Sequence, residues 1–283
     1  MTLKVAIQGE EASFHDIATD KFFSQDTKRI FCNNFSDTFS TLNRGLSDFA
    51  LCAIENSLYG SITEVYDLLL KNKVYIVGEV YLHIGQCLIG LPNSNLSEIS
   101  SVYSHPVALA QCEQYLDTYL SNAQRLEYHD TAASVKLIKD KNDPTKAAIA
   151  SSQAAKLYSM NILAESIETN KHNYTRFVVL SKSNINKETT TNKTSLIVET
   201  DHTPGSLYMA LGCFAKRSIN ITKIQSRPII GRPWHYMFYM DVNIGDDNKD
   251  FLEAKEELIQ QGCEVAVLGS YLSAEQQLSR SLE

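Results

Sequence analysis

Short runs that are apolar at every position alternate with helix-spaced apolar residues along the first 180 residues of the chain. The clearest run of this kind is 49–54; residues 3–7, which include Lys4, also predict a strand, and a helix-spaced set lies between the two. A continuously apolar strand suits a parallel sheet that is covered by helices on both faces. The pattern therefore predicts an α/β fold. An extended segment at 74–91 breaks the alternation and predicts a crossover into a second lobe.

Polar turns follow the predicted strands, and two of them carry helix caps. Asp130 is expected to cap one helix, and Ser151 or Ser152 another. In open α/β sheets, ligands bind beyond the carboxyl ends of the strands. A site wall is therefore predicted from the following turns: Gly9, 55–60, 104–105, 129–130 and 151–152.

A second domain is predicted after residue 182. Residues 183–193 are polar and lack periodicity, which is typical of a linker. The strand and helix signals at 194–272 follow the order βαββαβ, which indicates a small α+β domain, and 273–283 form a tail. Domains of this kind often pair their sheets between chains, because pairing covers the exposed edges.

Composition excludes several classes of partner. The 283 residues carry a net charge of −7 and no basic run, which argues against a nucleic-acid or membrane surface. The six cysteines are scattered and predict buried reduced thiols rather than a metal or redox site. With neither an apolar leader nor a run long enough to span a bilayer, the chain is expected to be soluble and cytoplasmic. The histidines show no ligand-like spacing, so no metal is predicted.

Thr175 and Arg176 place a hydroxyl donor beside a fixed cation just before the apolar run 178–180. The pair suits an anionic substrate that loses an oxygen. Taken alone, it is better explained as an ordinary strand residue followed by a surface ion pair.

Three segments resemble, in order and spacing, the motifs of the prephenate dehydratase family. They are 53–62 (AIENSLYGSI), 104–112 (SHPVALAQC) and 175–177 (TRF). The later segments 204–207 and 225–228 are similar to the ACT regulatory domain that this family carries. The resemblance covers essentially the whole chain. It implies a two-lobed catalytic unit like the periplasmic binding proteins, over 1–182, followed by the ACT domain.

The resemblance also implies roles for individual residues. Thr175 is the candidate donor to the departing hydroxyl, and Arg176 suits a carboxylate through paired N–H donors. Glu55 is either an acid or a turn residue, and His105 is either a proton carrier or a helix-start residue. The predicted substrate-binding residues are Asn56, Ser57, Ser61, Ser104, His105 and Phe177, of which Phe177 is expected to pack the cleft.

Feedback by L-phenylalanine is expected from the ACT-like segments. The predicted regulatory residues are Gly205, Ser206, Leu207, Gln225, Ser226, Arg227 and Pro228. Gln225 stands where the family commonly has Glu, which removes a charge that favours the ligand's ammonium group. The alternative is that 204–205 is only a helix-start turn and 227–228 only a strand end.

Two positions in the first turn also depart from the family pattern. Ala12 replaces a common Gly, which predicts a backbone angle that Ala dislikes, and His15 replaces a common Ser or Thr. We assign neither residue a role at this stage.

The resemblance predicts a lyase that converts prephenate into phenylpyruvate without a metal or redox cofactor, as a homodimer or homotetramer. Because the chain lacks the helical leader of forms fused to chorismate mutase, we expect a monofunctional enzyme. Two alternatives stay open. One is an arogenate dehydratase that makes L-phenylalanine directly, and the other is a non-catalytic two-lobed small-anion sensor with an ACT domain.

Overall fold

The structure is a computed structural model that describes residues 2–23, 27–185 and 190–274. The chain forms two compact units. Unit 1 contains Met1–Ile62 and Val80–Phe177, and unit 2 contains Thr63–Glu79 and Val178–Glu283. The predicted linker lies partly, and the predicted tail largely, outside the described residues. The domain bounds drawn from the sequence stay a prediction.

The first 181 residues alternate strands and helices as predicted. In chain order the elements are β1 (Lys4–Gln8), α1 (Phe14–Phe23), β2 (Lys28–Cys32), α2 (Phe35–Asn43), β3 (Phe49–Asn56), β4 (Gly60–Ser61), α3 (Thr63–Lys71), β5 (Tyr75–His83), β6 (Cys87–Gly90), β7 (Ser101–Ser104), α4 (Pro106–Gln111), α5 (Glu113–Tyr119), β8 (Gln124–Glu127), α6 (Thr131–Lys141), β9 (Lys146–Ala150), α7 (Ser152–Tyr158), β10 (Asn161–Ala164) and β11 (Tyr174–Ser181).

These strands form two sheets, and the chain visits the second sheet before it returns to the first. The first sheet has the order β2-β1-β3-β11-β5, with β4 paired to β3. The second has the order β10-β6-β9-β7-β8. The extended segment predicted at 74–91 is the two strands β5 and β6, so the crossover into a second lobe is confirmed. The chain crosses at 84–86 and returns through 165–173, and Ile84 N–H donates to Asn173 O between these crossings at 2.8 Å.

The strand directions are only partly those expected. β1 runs parallel to β2 and β3, and β7 runs parallel to β8 and β9. β6 is antiparallel to both β9 and β10, and β10 was not predicted. The apolar residues between 108 and 119 have the spacing of a helix, but they fall on two helices, because Cys112 leaves the helical region with φ −102° and ψ 10°.

Both predicted caps are present. Asp130 Oδ1 accepts from Ala133 N–H at 2.9 Å at the start of α6. Ser151, rather than Ser152, caps α7 by accepting from Ala154 N–H at 3.1 Å. Local signals of this kind satisfy amides that have no partner within the helix, which is why they are readable from sequence.

The later elements have the order βαββαβ, as predicted. They are β12 (Lys193–Glu199), α8 (Ser206–Ala215), β13 (Ile221–Pro228), β14 (Tyr236–Val242), α9 (Lys249–Gln260) and β15 (Glu264–Tyr271). The sheet has the order β13-β14-β12-β15, and both helices pack into its apolar core. The predicted fold class, a two-lobed α/β unit followed by an α+β domain, is confirmed.

Unit 2 also contains α3 and the start of β5, which the 98 residues Val80–Phe177 separate from the rest of the unit. Asp67 on α3 accepts from Arg227 Nε at 2.9 Å and from Arg227 Nη2 at 2.6 Å. A Cβ added to Gly269 would lie 2.0 Å from the Ile76 carbonyl oxygen, so the two backbones touch. These contacts make α3 part of the smaller unit's packing.

All six cysteines are free and buried, as predicted. Within the described part of the chain, no helix is long and apolar enough to cross a membrane.

Candidate active site

Turns from the two lobes of unit 1 meet each other, as the strand ends predict. Ser151 Oγ, from the second lobe, donates to the Ala12 carbonyl at 2.9 Å. A Cβ on Gly9 would lie 2.8 Å from Asp130 Oδ2, so the backbone at Gly9 approaches that carboxyl group closely. The two lobes therefore face each other across these turns, and a substrate between them would be shielded from water.

The first turn carries the backbone strain that its sequence indicates. Ala12 has a φ of 64°, in the left-handed region that glycine adopts without cost. Its side chain belongs to the buried apolar cluster that includes Ala132, Ala150 and Ala154 of the second lobe. Packing across the lobes therefore offsets the strain.

Asn56 and Thr175 are brought together although they are far apart in the chain. Asn56 ends β3, and Thr175 lies near the start of β11, the neighbouring strand. Asn56 Nδ2 donates to Thr175 Oγ1 at 3.0 Å, and both residues are buried. Asn56 Oδ1 accepts from the N–H groups of Leu58 and Tyr59, each at 3.0 Å. These two backbone donors fix which way the Asn56 amide points.

This geometry sets the direction of the Thr175 hydroxyl. A hydroxyl has one proton to donate and two lone pairs to accept with, and the Asn56 amide uses a lone pair. Among the residues that the structure describes, the Thr175 hydroxyl proton has no hydrogen-bond acceptor. The geometry therefore leaves the Thr175 hydroxyl proton without a partner among the described residues.

Arg176 lies on the other face of β11 from Thr175, because successive strand residues alternate. Arg176 Nη1 is 3.9 Å from Glu55 Oε2, and the Arg176 side chain is 5% exposed. Glu55 neighbours Asn56 in β3, so the two pairs sit on opposite faces of adjacent strands. The arrangement places a nearly buried positive charge behind the Thr175 face.

Three predicted substrate-binding serines have protein partners. Ser57 Oγ donates to His172 O at 3.0 Å and accepts from Tyr174 N–H at 2.9 Å, which ties the two strand ends together. Ser104 is fully buried and donates to Ile149 O at 2.6 Å. Ser61 lies in β4, and the helix expected to begin there begins at Thr63.

His105 is the N-terminal cap of α4, and its Nδ1 accepts from Val107 N–H at 3.3 Å. Burial lowers the pKa of His105, against the opposing influence of Asp130 and Glu127. A neutral imidazole that accepts at Nδ1 carries its hydrogen on Nε2. Its geometry favours the helix-start interpretation, with one N–H left for a ligand.

Phe177 and His15 form an aromatic contact beneath the site. Phe177 is buried, and its ring meets His15 edge-on with centroids 5.1 Å apart. His15 Nε2 accepts from the Ala53 N–H of β3 at 3.2 Å. Burial lowers the pKa of His15 to about 4, so the ring is neutral at pH 7. Phe177 is thus a buried packing residue, and His15 supports the motif strand from behind.

Asp130 was predicted as a helix cap and as part of the site wall, with no role in proton transfer. Its carboxyl faces the first turn near Gly9, and burial raises its pKa, although the Ala133 and Ala132 N–H groups lower it. A carboxylic acid that keeps its proton to higher pH is a better general acid. Asp130 therefore joins the residues that can supply a proton in this cleft.

A cavity of about 490 Å³ lies beside the motif loop in unit 1, with Leu58, Gln111, Glu113 and Asp117 in its lining. Thr175 does not line it. The lining carries carboxylates, and among the described residues no Lys or Arg joins them, so the cavity suits a dianion poorly.

Unit 2 contains a separate cavity of about 330 Å³ at the start of α8. Its lining includes Ser206 and Leu207 from the predicted regulatory set, the Asp201 carboxylate, and the rings of Tyr236 and Phe238. Gly205 precedes α8 with a φ of 87°, which Gly tolerates. Helix amides, a carboxylate and aromatic rings together match the groups of an aromatic amino acid.

The second regulatory stretch does not join this cavity within the described chain. Gln225, Ser226, Arg227 and Pro228 lie in β13, an edge strand, with alternating half-buried and exposed side chains. Gln225 donates to Ser226 O at 3.1 Å, and the Arg227 guanidinium is held by Asp67. In a single chain, the two predicted regulatory stretches are therefore separate.

Among residues 2–23, 27–185 and 190–274, no group of three or more His, Cys, Asp or Glu side chains is arranged to hold a metal ion.

Comparison with known proteins agrees with the motifs. The family model described as prephenate dehydratase matches residues 5–185. A protein of Arabidopsis thaliana named arogenate dehydratase/prephenate dehydratase 2, chloroplastic, is 37% identical over 279 residues, which cover 95% of this chain and 72% of that protein.

Two solved structures share the fold of almost the whole chain. Prephenate dehydratase from Arthrobacter aurescens in complex with L-Phe has a TM-score of 0.88 and 30% identity, over 97% of this chain and 91% of that one. GqqA, described as a novel type of quorum quenching acylase, has a TM-score of 0.87 and 27% identity, over 97% of this chain and 99% of that one.

Proposed function

Because the chain belongs to the prephenate dehydratase family, we propose that it converts prephenate into phenylpyruvate, carbon dioxide and water in L-phenylalanine biosynthesis. This is the reaction of a carbon-oxygen lyase that also decarboxylates. The observation that carries the proposal is the Asn56 and Thr175 pair, which leaves a buried hydroxyl proton directed away from the protein's own acceptors.

The reaction needs no net oxidation. The bond between the ring and its carboxylate breaks, and the electron pair enters the ring while the ring C–O bond breaks. The departing oxygen takes a proton and leaves as water, and the ring becomes aromatic. The protein must therefore donate to one oxygen and keep the leaving carboxylate poorly solvated.

Thr175 is proposed as the hydrogen-bond donor to the departing hydroxyl. A threonine hydroxyl is a weak acid, so it positions and polarises the oxygen while a stronger acid supplies the proton. Asp130, whose pKa is raised by burial, has the chemistry for that second task.

Arg176 is proposed as the source of positive charge for a substrate carboxylate. Its contact with Glu55 at 3.9 Å is longer than a normal hydrogen bond. Arg176 lies on the face of β11 opposite to Thr175. Its charge therefore acts on the site as a long-range electrostatic field, which the surrounding buried protein screens less than water would.

Ser57, Ser104, His105 and Ser61 are proposed to shape the substrate site. Ser57 and Ser104 act by holding backbone, since their hydroxyls bond to main-chain oxygens. His105 is proposed to donate its Nε2 hydrogen to the substrate, and Phe177 is proposed to line the base of the substrate site.

The test is turnover by the purified protein with prephenate, following phenylpyruvate, with arogenate in a parallel reaction. Release of phenylpyruvate supports the proposal, and faster turnover of arogenate supports the alternative of direct L-phenylalanine formation. A quorum-quenching substrate belongs in a third reaction, because GqqA shares the fold. No turnover of prephenate or arogenate would refute the proposed function.

Thr175→Ala should lower kcat by roughly 100-fold with little change in KM, because the donor acts as the C–O bond breaks. Thr175→Ser, which keeps the hydroxyl, is the matched control and should retain most of the activity. Equal activity in both variants would remove Thr175 from the mechanism.

Feedback by L-phenylalanine is proposed to act through the cavity at α8. The amides at the start of the helix suit the ligand's carboxylate, Asp201 suits its ammonium group, and Tyr236 and Phe238 suit its ring. Asp201 thus supplies the negative charge that Gln225 lacks. The complex of the Arthrobacter aurescens relative with L-Phe supports this role for the fold.

Residues 225–228 are proposed to reach the effector from the β13 edge of a second chain, in a homodimer or homotetramer. Calorimetry with L-phenylalanine tests the site. Asp201→Asn should weaken binding, whereas Asp246→Asn, at a loop on the same unit, should not. Unchanged affinity in Asp201→Asn would refute this placement. The cytoplasmic location stays a prediction.

A further inference from the structure

We propose that Asn173 is a positioning residue that sets the direction of the Thr175 hydroxyl through Asn56, a role that rests on the proposed function. Asn173 lies two residues before Thr175 and is completely buried. It ends the segment through which the chain returns from the second lobe.

Asn173 accepts a hydrogen bond from the Asn56 amide, which also donates to Thr175. Its Oδ1 accepts from Asn56 Nδ2 at 2.8 Å, and the same Nδ2 donates to Thr175 Oγ1 at 3.0 Å. An amide NH₂ has two hydrogens, and Tyr174 O, at 3.2 Å, shares them as a third acceptor. Asn173 Oδ1 makes the shortest of the three contacts, so removing it lets Asn56 Nδ2 move between the two acceptors that remain, Tyr174 O and Thr175 Oγ1.

Asn173, at the end of the returning segment 165–173, is itself fixed to the outgoing segment 84–86 and to α4. Its Nδ2 donates to Ile84 O at 3.4 Å, and its backbone carbonyl accepts from Ile84 N–H at 2.8 Å. On the other side, Gln111 Nε2 from α4 approaches its Oδ1 at 3.5 Å. The donor Thr175 is thus oriented by a buried amide chain that begins at the crossings between the lobes.

A direct role for Asn173 in binding is not needed for this effect. Its polar atoms are engaged by protein groups, and its side chain is shielded from solvent. A defect caused by lost positioning should appear in kcat rather than KM, because it weakens an interaction made in the transition state.

The test compares Asn173→Ala with Asn173→Asp. Asn173→Ala should lower kcat roughly tenfold and leave KM within about twofold. In Asn173→Asp the protonated carboxyl group reproduces both contacts, since its C=O accepts from Asn56 and its O–H donates to Ile84 O, whereas the ionised form has no hydrogen to donate to Ile84 O. Its kcat should therefore fall as pH rises, along a limb that the wild-type protein lacks. Asn161→Asp is the matched control. Asn161 lies on β10 and donates to Pro92 O, so the pH profile of this variant should match that of the wild type.

Three results would overturn the inference. The first is a pH profile of Asn173→Asp that is parallel to that of the wild type. The second comes from the double variant: Asn173→Ala lowers kcat by the same factor in the Thr175→Ala background as in the wild-type background. The third does not depend on activity, since it is a crystal structure of Asn173→Ala in which Asn56 Nδ2 stays at 3.0 Å from Thr175 Oγ1. Asn173→Ser replaces Asn173→Ala in each comparison if the latter does not fold. If the wild-type protein fails to turn over prephenate, the proposed function fails, and the crystal structure still decides the positioning.

Discussion

The neutral His15 ring should make the protein lose stability as pH falls below about 6.5. In the folded chain, burial lowers the pKa of His15 to about 4, because Nε2 accepts from Ala53 N–H and the ring packs against Phe177. In the unfolded chain the ring has its ordinary pKa of about 6.5. The unfolded state therefore binds the proton first, and stability is complete above the unfolded pKa and falls as pH moves towards 4.

The size of the effect follows from the two pKa values. A difference of about 2.5 units corresponds to roughly 3.4 kcal/mol once both states are protonated. At pH 5 the unfolded ring is almost fully charged and the folded ring almost neutral, so His15 alone costs about 2 kcal/mol relative to pH 7.5. This loss is a large fraction of the stability of an ordinary domain.

The assay is urea unfolding at pH 7.5 and 5.0, followed by far-ultraviolet circular dichroism, because the single tryptophan, Trp234, belongs to unit 2. His15→Gln is the control, since it offers an acceptor and does not titrate. The wild-type protein should lose about 2 kcal/mol more than His15→Gln between the two pH values. Other titrating groups affect both proteins and cancel. Equal losses would refute the assignment of His15 as a buried neutral ring.

Further predictions concern other contacts. Arg176→Gln should lower kcat and raise KM, because it removes the nearly buried positive charge behind Thr175, and unchanged kcat and KM in steady-state assays would exclude this electrostatic role. Asp67→Asn should leave uninhibited activity unchanged but raise the half-inhibitory phenylalanine concentration roughly fivefold, since it releases the strand that carries the second regulatory stretch. An unaltered inhibition curve would contradict this. Gly269→Ala should destabilise unit 2 by about 3 kcal/mol by forcing a Cβ onto Ile76 O, whereas Gly212→Ala, where a Cβ meets nothing within 4 Å, should not destabilise it. Urea unfolding, followed by the fluorescence of Trp234 in unit 2, measures the free energy of unfolding of both variants. Equal free energies would contradict the prediction.

Features set by neighbouring residues were predictable from sequence. The caps at Asp130 and Ser151 and the βαββαβ order follow from local chemistry, and both are present. The positive φ of Ala12 was expected from the family pattern, in which Gly is common at this position. The short β10 was missed because four residues of intermediate burial carry little periodic signal.

The site's polar contacts were less predictable, because they join residues distant in sequence. Asn56 and Asn173 are 117 residues apart, and Arg227 and Asp67 are 160 apart. The motifs named Asn56, Ser57 and Thr175, but they did not distinguish the roles of these residues. The geometry shows that Asn56 and Ser57 bond to protein groups, whereas the Thr175 hydroxyl keeps its proton available. The same geometry shows that Arg227 is engaged by a side chain from α3.

The shared packing of α3 and the later domain has an evolutionary consequence. The chain passes between the units at 62/63, 79/80 and 177/178, so neither unit is one uninterrupted stretch of gene. A recombination that exchanged the βαββαβ segment at a single junction would separate Arg227 from Asp67 and set a foreign backbone against Ile76. The smaller unit is therefore expected to evolve together with residues 63–79 rather than to be exchanged as an independent module.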